Sequence, residues 1–173
     1  SMTTTVESVF GSGRMAAGFF LNNQLTDFSF APTRPDGQPA ANAVAPGKRP
    51  RSSMAPVLIL DRDGRFVGAL GSPGGPSILA YNSRALIAVL DWGLPVQAAF
   101  DLPNLVARGD GFGADTDRFS SDLRRALAAA SVELRPNDSE TSGLHGGVWR
   151  QDSDGRWTWD GGADDRREGV VRF

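Results

Sequence analysis

An α+β layered fold is what this 173-residue sequence predicts, and three observations predict it. Apolar runs flank Asp61-Arg62-Asp63-Gly64, and a second pair flanks Asp152-Ser153-Asp154-Gly155. Asp-Gly between apolar runs is a strong hairpin signal. Residues 76–92 carry apolar side chains at helical spacing and stop at Gly93, as an amphipathic helix with a glycine terminator does. Hairpins and helices are grouped along the chain, which argues against a doubly wound parallel sheet.

Taken in order, residues 2–6 are Thr-rich and read as a strand. Gly11-Ser12-Gly13 breaks it, and 18–21 form a second short apolar run. Residues 31–50 hold five prolines and no apolar periodicity, too long for an ordinary connection. The residues before it are too few for a core of their own, so a long ordered surface loop at about 31–55 is expected inside a single domain, 1–173. Residues 56–60 and 65–70 are hairpin strands. In the 76–92 helix, Ile78, Tyr81, Ala85 and Val89 form one apolar row, with Leu79, Leu86 and Leu90 adjoining it. So wide a stripe should pack against a sheet. A short helix at 95–100 begins with proline, a second clear helix covers 121–130, and 132–134 read as a strand. The last hairpin joins 144–151 to 156–160. The two long hairpins are expected in stacked antiparallel sheets, with the 76–92 helix over one face.

Composition bounds the function. Hydrophobic residues make up 40% and charged residues 22%, with a formal charge of −2, values of an ordinary globular chain. There is no basic stripe to suit nucleic acid and no apolar run long enough to span a bilayer. Neither partner is expected. The absence of cysteine excludes a thiol nucleophile and a disulfide framework. The lone histidine, His145, sits among glycines and reads as a strand or turn residue. It gives no basis for a metal site, and no cofactor is expected.

Three segments can carry chemistry. Gly71-Ser72-Pro73-Gly74-Gly75 joins a strand to a helix. Its backbone N–H groups suit a bound anion or a developing oxyanion, and a tight turn that needs glycine is the plainer alternative. It is no phosphate loop, because no Gly-Lys-Ser/Thr follows. Ser52-Ser53, after Lys48-Arg49-Pro50, can donate to a carboxylate or simply form a turn. Asp27 can pair with an ammonium group or cap a turn.

Thr3-Thr4-Thr5-Val6-Glu7, Phe10-Gly11-Ser12-Gly13, Leu21-Asn22-Asn23-Gln24, Asp27-Phe28-Ser29, Pro46-Gly47-Lys48-Arg49-Pro50, Ser52-Ser53-Met54 and Gly71-Ser72-Pro73-Gly74-Gly75 occur in one order. That series resembles the small, catalytic subunit of γ-glutamyltransferases, which are N-terminal nucleophile hydrolases. The tail Ala163-Asp164-Asp165-Arg166-Arg167-Glu168-Gly169 is similar to the family's C-terminal signature.

The resemblance implies an αββα sandwich, truncated at its first strand, and a γ-glutamyl small-molecule substrate such as glutathione. It implies transfer of the γ-glutamyl group to water, amino acids or peptides, through an ester on a threonine freed by self-cleavage. Thr5 matches the residue that activates that nucleophile, and Gly74 and Gly75 match the oxyanion-hole donors. Glu7, Gln24 and Asp27 match positions around the substrate ammonium, and Ser52 and Ser53 match hydroxyls on its carboxylate. The nucleophile itself is expected outside this chain. Glu7 stands where many members have asparagine, and Arg51 where leucine is frequent. The implied partner is the large subunit of the same precursor, and the implied location is periplasmic or secreted. A missing first strand would leave an unpaired edge beside 2–6, a route to self-association. Two alternatives stay open: a related acylase of the glutaryl-cephalosporin type, and a non-catalytic ligand-binding domain.

Overall fold

The computed structural model of the chain describes residues 1–7, 11–109, 111–137 and 140–172, without the Arg108 side chain. Phe10 of the Phe10-Gly11-Ser12-Gly13 motif therefore lies outside the described residues. The chain divides into two compact units, Met2–Ser52 and Ser53–Phe173, the second joined by Ser1.

In the first unit, strands β1 (Met15–Ala16) and β2 (Phe19–Phe20) pair antiparallel. Ala17 and Gly18 between them both have positive φ, 49° and 82°, the backbone of the two-residue turn whose twist suits a hairpin. A 3-10 turn, Gln24–Asp27, follows, with the Asn22 side chain accepting from Gln24 N at 3.1 Å. The proline-rich segment is organised by Asn42. Its Nδ2 donates to Asp27 O at 2.6 Å and its Oδ1 accepts from Arg51 N at 2.9 Å. Bridges join Ser29 to Ala43 and Thr33 to Pro39. Residues 2–6, expected as a strand, are not one. β propensity alone does not make a strand; here Thr5 O accepts from Asn23 N at 3.1 Å, a contact with the loop before the 3-10 turn. The strand edge on which self-association was expected is therefore not formed.

In the second unit, β3 (Val57–Leu60) and β4 (Phe66–Gly71) form the first long hairpin. Asp61 Oδ1 accepts from the N–H groups of Asp63 and Arg65, and Gly64 takes φ 78°. A 3-10 turn, Gly75–Ser77, leads into α1 (Ile78–Leu86), which runs on as a π-turn, Ile87–Asp91, and ends before Gly93 at φ 68°. Then come α2 (Val96–Asp101), β5 (Leu105–Arg108), β6 (Gly111–Ala114), α3 (Ser121–Ala129), β7 (Leu134–Pro136), β8 (His145–Gln151) and β9 (Trp157–Ala163). The β8–β9 turn repeats the first, with Asp152 Oδ1 accepting from Asp154 N and Arg156 N and Gly155 at φ 76°.

The four-stranded sheet runs β3-β4-β8-β9 and is antiparallel throughout, while β5-β6-β7 form a second sheet whose β6–β7 pair is parallel. The two long hairpins thus share one sheet and do not lie in two stacked ones. Glycine permits the join: a Cβ on Gly146 would lie 2.1 Å from Ala69 O, so only a residue without one lets β8 close on β4. His145 opens β8 and is exposed, its Nδ1 3.0 Å from Gly143 O.

The helices cover one face of this sheet. Leu70, Tyr81, Ala85, Ala88, Val89, Val96, Ala99, Phe100, Leu144 and Val148 form the buried core there. The Ile78–Tyr81–Ala85–Val89 row is buried as expected, but Leu79 and Leu90 are exposed. The helix buries a narrower stripe than its sequence offers. The sheet's other face carries an exposed aromatic cluster. Trp159 stacks on Phe66 with centroids 6.3 Å apart and meets Trp149 edge-on at 5.4 Å, with Trp157, Leu58 and Leu60 also exposed.

Candidate active site

The second unit holds the glycine turn. Gly74 adopts φ 138° and ψ 20°, a conformation that side chains other than hydrogen do not tolerate. Its carbonyl accepts from Ser77 N at 3.0 Å, which starts the 3-10 turn into α1. Ser53 Oγ donates to Gly75 O at 2.6 Å. On the other side, Ser72 Oγ accepts from Gly143 N at 3.0 Å. Ser72 Oγ also donates to Pro73 O at 2.7 Å, in the peptide that carries the Gly74 N–H, and the Ser77 bond to Gly74 O holds the peptide that carries the Gly75 N–H. Ser53, Gly74 and Gly75 are thus brought together. The Ser53 proton is committed to Gly75, so donation to a carboxylate means exchanging that bond.

The first unit holds a cavity of about 320 Å³ lined by Asn22, Gln24, Leu25, Arg49, Pro50 and Ser52. Amide, hydroxyl and guanidinium groups meet a short apolar wall there. Such a set suits a small zwitterion with a polar head and an aliphatic stem. Gln24 and Ser52 are therefore brought together. Glu7 Oε2 accepts from Asn23 Nδ2 at 3.2 Å, next to Gln24. Asp27 closes the same 3-10 turn, half-buried, but is not among the cavity-lining residues. Thr5 is half-buried and touches this region through its carbonyl.

Beneath α1 and β8 lies a charged network that sequence reasoning left without a role. Asp164 is 1% exposed. It accepts from Ser142 Oγ, from Arg166 N at 3.0 Å and from Arg166 Nη1 at 2.9 Å. Arg166 also bonds Asp115 Oδ2 at 2.9 Å and the carbonyls of Phe100 and Leu102. Asn104 links Ser142 to Arg84. Burial pushes the Asp164 carboxyl up, but the Ser142 and Arg166 hydrogen bonds outweigh it and hold it below the usual carboxylate range. Burial also works against the Arg166 charge, yet Asp164 and Asp115 together raise its pKa. Arg84 is drawn down to about 10, by burial first and by the Arg166 charge second. Only the tail signature 163–169 pointed here. Ser142 and Asn104 carry no local signal that could have found them.

Helices on one sheet face, with a glycine turn leading from a hairpin into the first helix, define an α+β protein. The chain belongs to the gamma-glutamyltranspeptidase family, whose model matches residues 1–173. It is 40% identical over 107 residues to the glutathione hydrolase proenzyme of Bacillus subtilis (strain 168), covering 61% of this chain and 17% of that protein. A solved acivicin-inhibited gamma-glutamyltranspeptidase superposes with a TM-score of 0.75 at 26% identity, over 97% of this chain and 92% of that one. The gamma-glutamyltranspeptidase of Pseudomonas nitroreducens complexed with L-DON gives 0.72 at 28% identity, over 99% and 91%. The chain thus spans less than a fifth of the curated proenzyme, while it matches these solved chains nearly end to end.

Proposed function

We propose that this chain serves as the small-subunit part of an enzyme that cleaves γ-glutamyl amides and passes the γ-glutamyl group to water or an amine. The observation that carries the reading is the Gly74–Gly75 turn, its two N–H-bearing peptides held at Pro73 O and Gly74 O, in a chain matched over its whole length by the family. A threonine oxygen attacks the γ-carbonyl, and the electron pair of the C=O bond moves to oxygen. Gly74 and Gly75 N–H groups stabilise that oxyanion. The pair returns, the amine leaves with a proton, and a γ-glutamyl ester remains. Water or an acceptor amine then repeats the addition and frees the threonine. Thr5 is internal, its nitrogen held in a peptide bond, so it activates the nucleophile rather than acting as one. Gln24, Asp27 and Glu7 hold the donor's ammonium. Ser52 and Ser53 bind its carboxylate, Ser53 exchanging its bond to Gly75 when substrate arrives.

A large subunit from the same precursor is the proposed partner. The aromatic face of Phe66, Trp149, Trp157 and Trp159 supports it, since an exposed patch of that kind marks a surface made to be covered. A second sheet laid there completes the αββα sandwich.

The test is turnover of L-γ-glutamyl-p-nitroanilide. The assembled two-subunit enzyme should release nitroaniline and, with glycylglycine present, form the γ-glutamyl tripeptide. Residues 1–173 alone should do neither. Nitroaniline release by the 173-residue chain alone would overturn the assignment of the nucleophile. In the assembled enzyme, Asp27→Ala should raise KM by roughly 10-fold to 100-fold, the loss expected when a charged hydrogen-bond partner is removed, with kcat changed much less. An unchanged KM would remove Asp27 from the ammonium site.

A further inference from the structure

Tyr81 stands in the first turn of α1, six residues after Gly75, is 1% exposed and reads as an ordinary core residue. Its surroundings say more. A Cβ placed on Gly74 would lie 2.5 Å and 2.9 Å from two carbons of the Tyr81 ring, so the ring rests directly against the Gly74 backbone. The Tyr81 hydroxyl donates to Glu140 O at 2.9 Å and accepts from Asn137 Nδ2 at 2.9 Å. These partners are 56 and 59 residues away in sequence. An apolar contact alone would be met by Phe or Leu. A buried hydroxyl satisfied on both sides fixes how far the ring reaches along its own axis, and so where Gly74 sits.

We propose that Tyr81 is a positioning residue for the Gly74–Gly75 N–H pair. Its hydroxyl, tied to Glu140 and Asn137, sets the place of Gly74 against the oxyanion. The inference rests on the oxyanion reading given above. Ser53 on Gly75 O and Gly143 on Ser72 Oγ hold the turn from its sides, while Tyr81 holds it from the core. Small displacements of a reacting geometry are costly, about 100-fold for 1 Å. Tyr81→Phe keeps the ring and frees its position, so a smaller loss is expected.

The experiment uses the assembled enzyme with L-γ-glutamyl-p-nitroanilide, and a γ-boronic acid analogue of glutamate whose tetrahedral adduct carries an oxygen in the oxyanion position. Tyr81→Phe should lower kcat by roughly threefold to tenfold, leave KM within about twofold, and weaken the boronate by the same factor as kcat/KM. Asn137→Ala, which removes the donor to the hydroxyl without touching the ring, should shift kcat and boronate affinity in the same direction. It decides the question if Tyr81→Phe fails to fold. Unchanged kcat and boronate affinity in a folded variant of either kind would overturn the proposal, as would a loss confined to thermal stability. Gly74→Ala separates the two levels. If it too leaves boronate affinity intact, the oxyanion reading itself fails. If it weakens the boronate while Tyr81→Phe and Asn137→Ala do not, only the role of Tyr81 is lost.

Discussion

Gly74→Ala should reduce kcat of the assembled enzyme by about 100-fold to 1,000-fold, the loss that follows removal of one oxyanion donor. Two physical reasons make this position intolerant. At φ 138° an L-residue is strained by roughly 1–3 kcal/mol. The new methyl would also meet the Tyr81 ring at 2.5 Å, and that ring is buried and held at its hydroxyl, so the turn must move instead. Gly75 offers an internal comparison. Its φ of 50° lies in the left-handed region that other residues enter at about 1–2 kcal/mol. Its added Cβ would meet only the end of the Glu140 side chain, at 3.1 Å, which is exposed and can yield. Gly75→Ala should therefore lose markedly less activity than Gly74→Ala. Steady-state kinetics on both variants, with thermal melts as a folding control, check the order. Equal losses would mean that the turn does not hold its donors in the way described.

What the sequence disclosed was mostly local. Asp61 and Asp152 each cap their own turn by hydrogen bonds within four residues, so both hairpins could be read directly. Gly93 ends the long helix for a reason equally local. The β4–β8 pairing was not legible, because it joins Gly68 to Val148 and depends on glycines whose role appears only once the strands meet. The β5–β6 hairpin was not legible either, since its four-residue strands are too short to show alternation. Residues 2–6 show the opposite failure: β propensity alone makes no strand. In the candidate site, the resemblance supplied Ser53, Gly74 and Gly75. It could not supply Tyr81, whose ring looks like core and whose hydroxyl partners come from a distant segment.

The largest loss of stability should follow Asp164→Ala, about 3–5 kcal/mol, as expected when one partner of a buried ion pair is removed. The substitution strips Ser142 Oγ and Arg166 of an acceptor in a place water does not reach, since the Asp164 and Arg166 side chains are 0% and 5% exposed. The adjacent acid is the control. Asp165 pairs with Arg118 at 3.0 Å on the surface, 65% exposed, and Asp165→Ala should cost no more than about 1 kcal/mol. Two neighbouring aspartates, each facing an arginine, thus differ severalfold because only one is removed from water. The pH dependence follows from the same geometry. The folded-state pKa of Asp164 is depressed, so its contribution is complete above the ordinary carboxylate range. It is lost as pH falls through the folded value. Wild-type stability should therefore decline from about pH 5 downward, and Asp164→Asn should flatten that decline while lowering stability at neutral pH. Urea unfolding at neutral and acid pH measures both effects. If Asp164→Ala and Asp165→Ala unfold at the same urea concentration, the buried network is not what holds the C-terminal segment to the core.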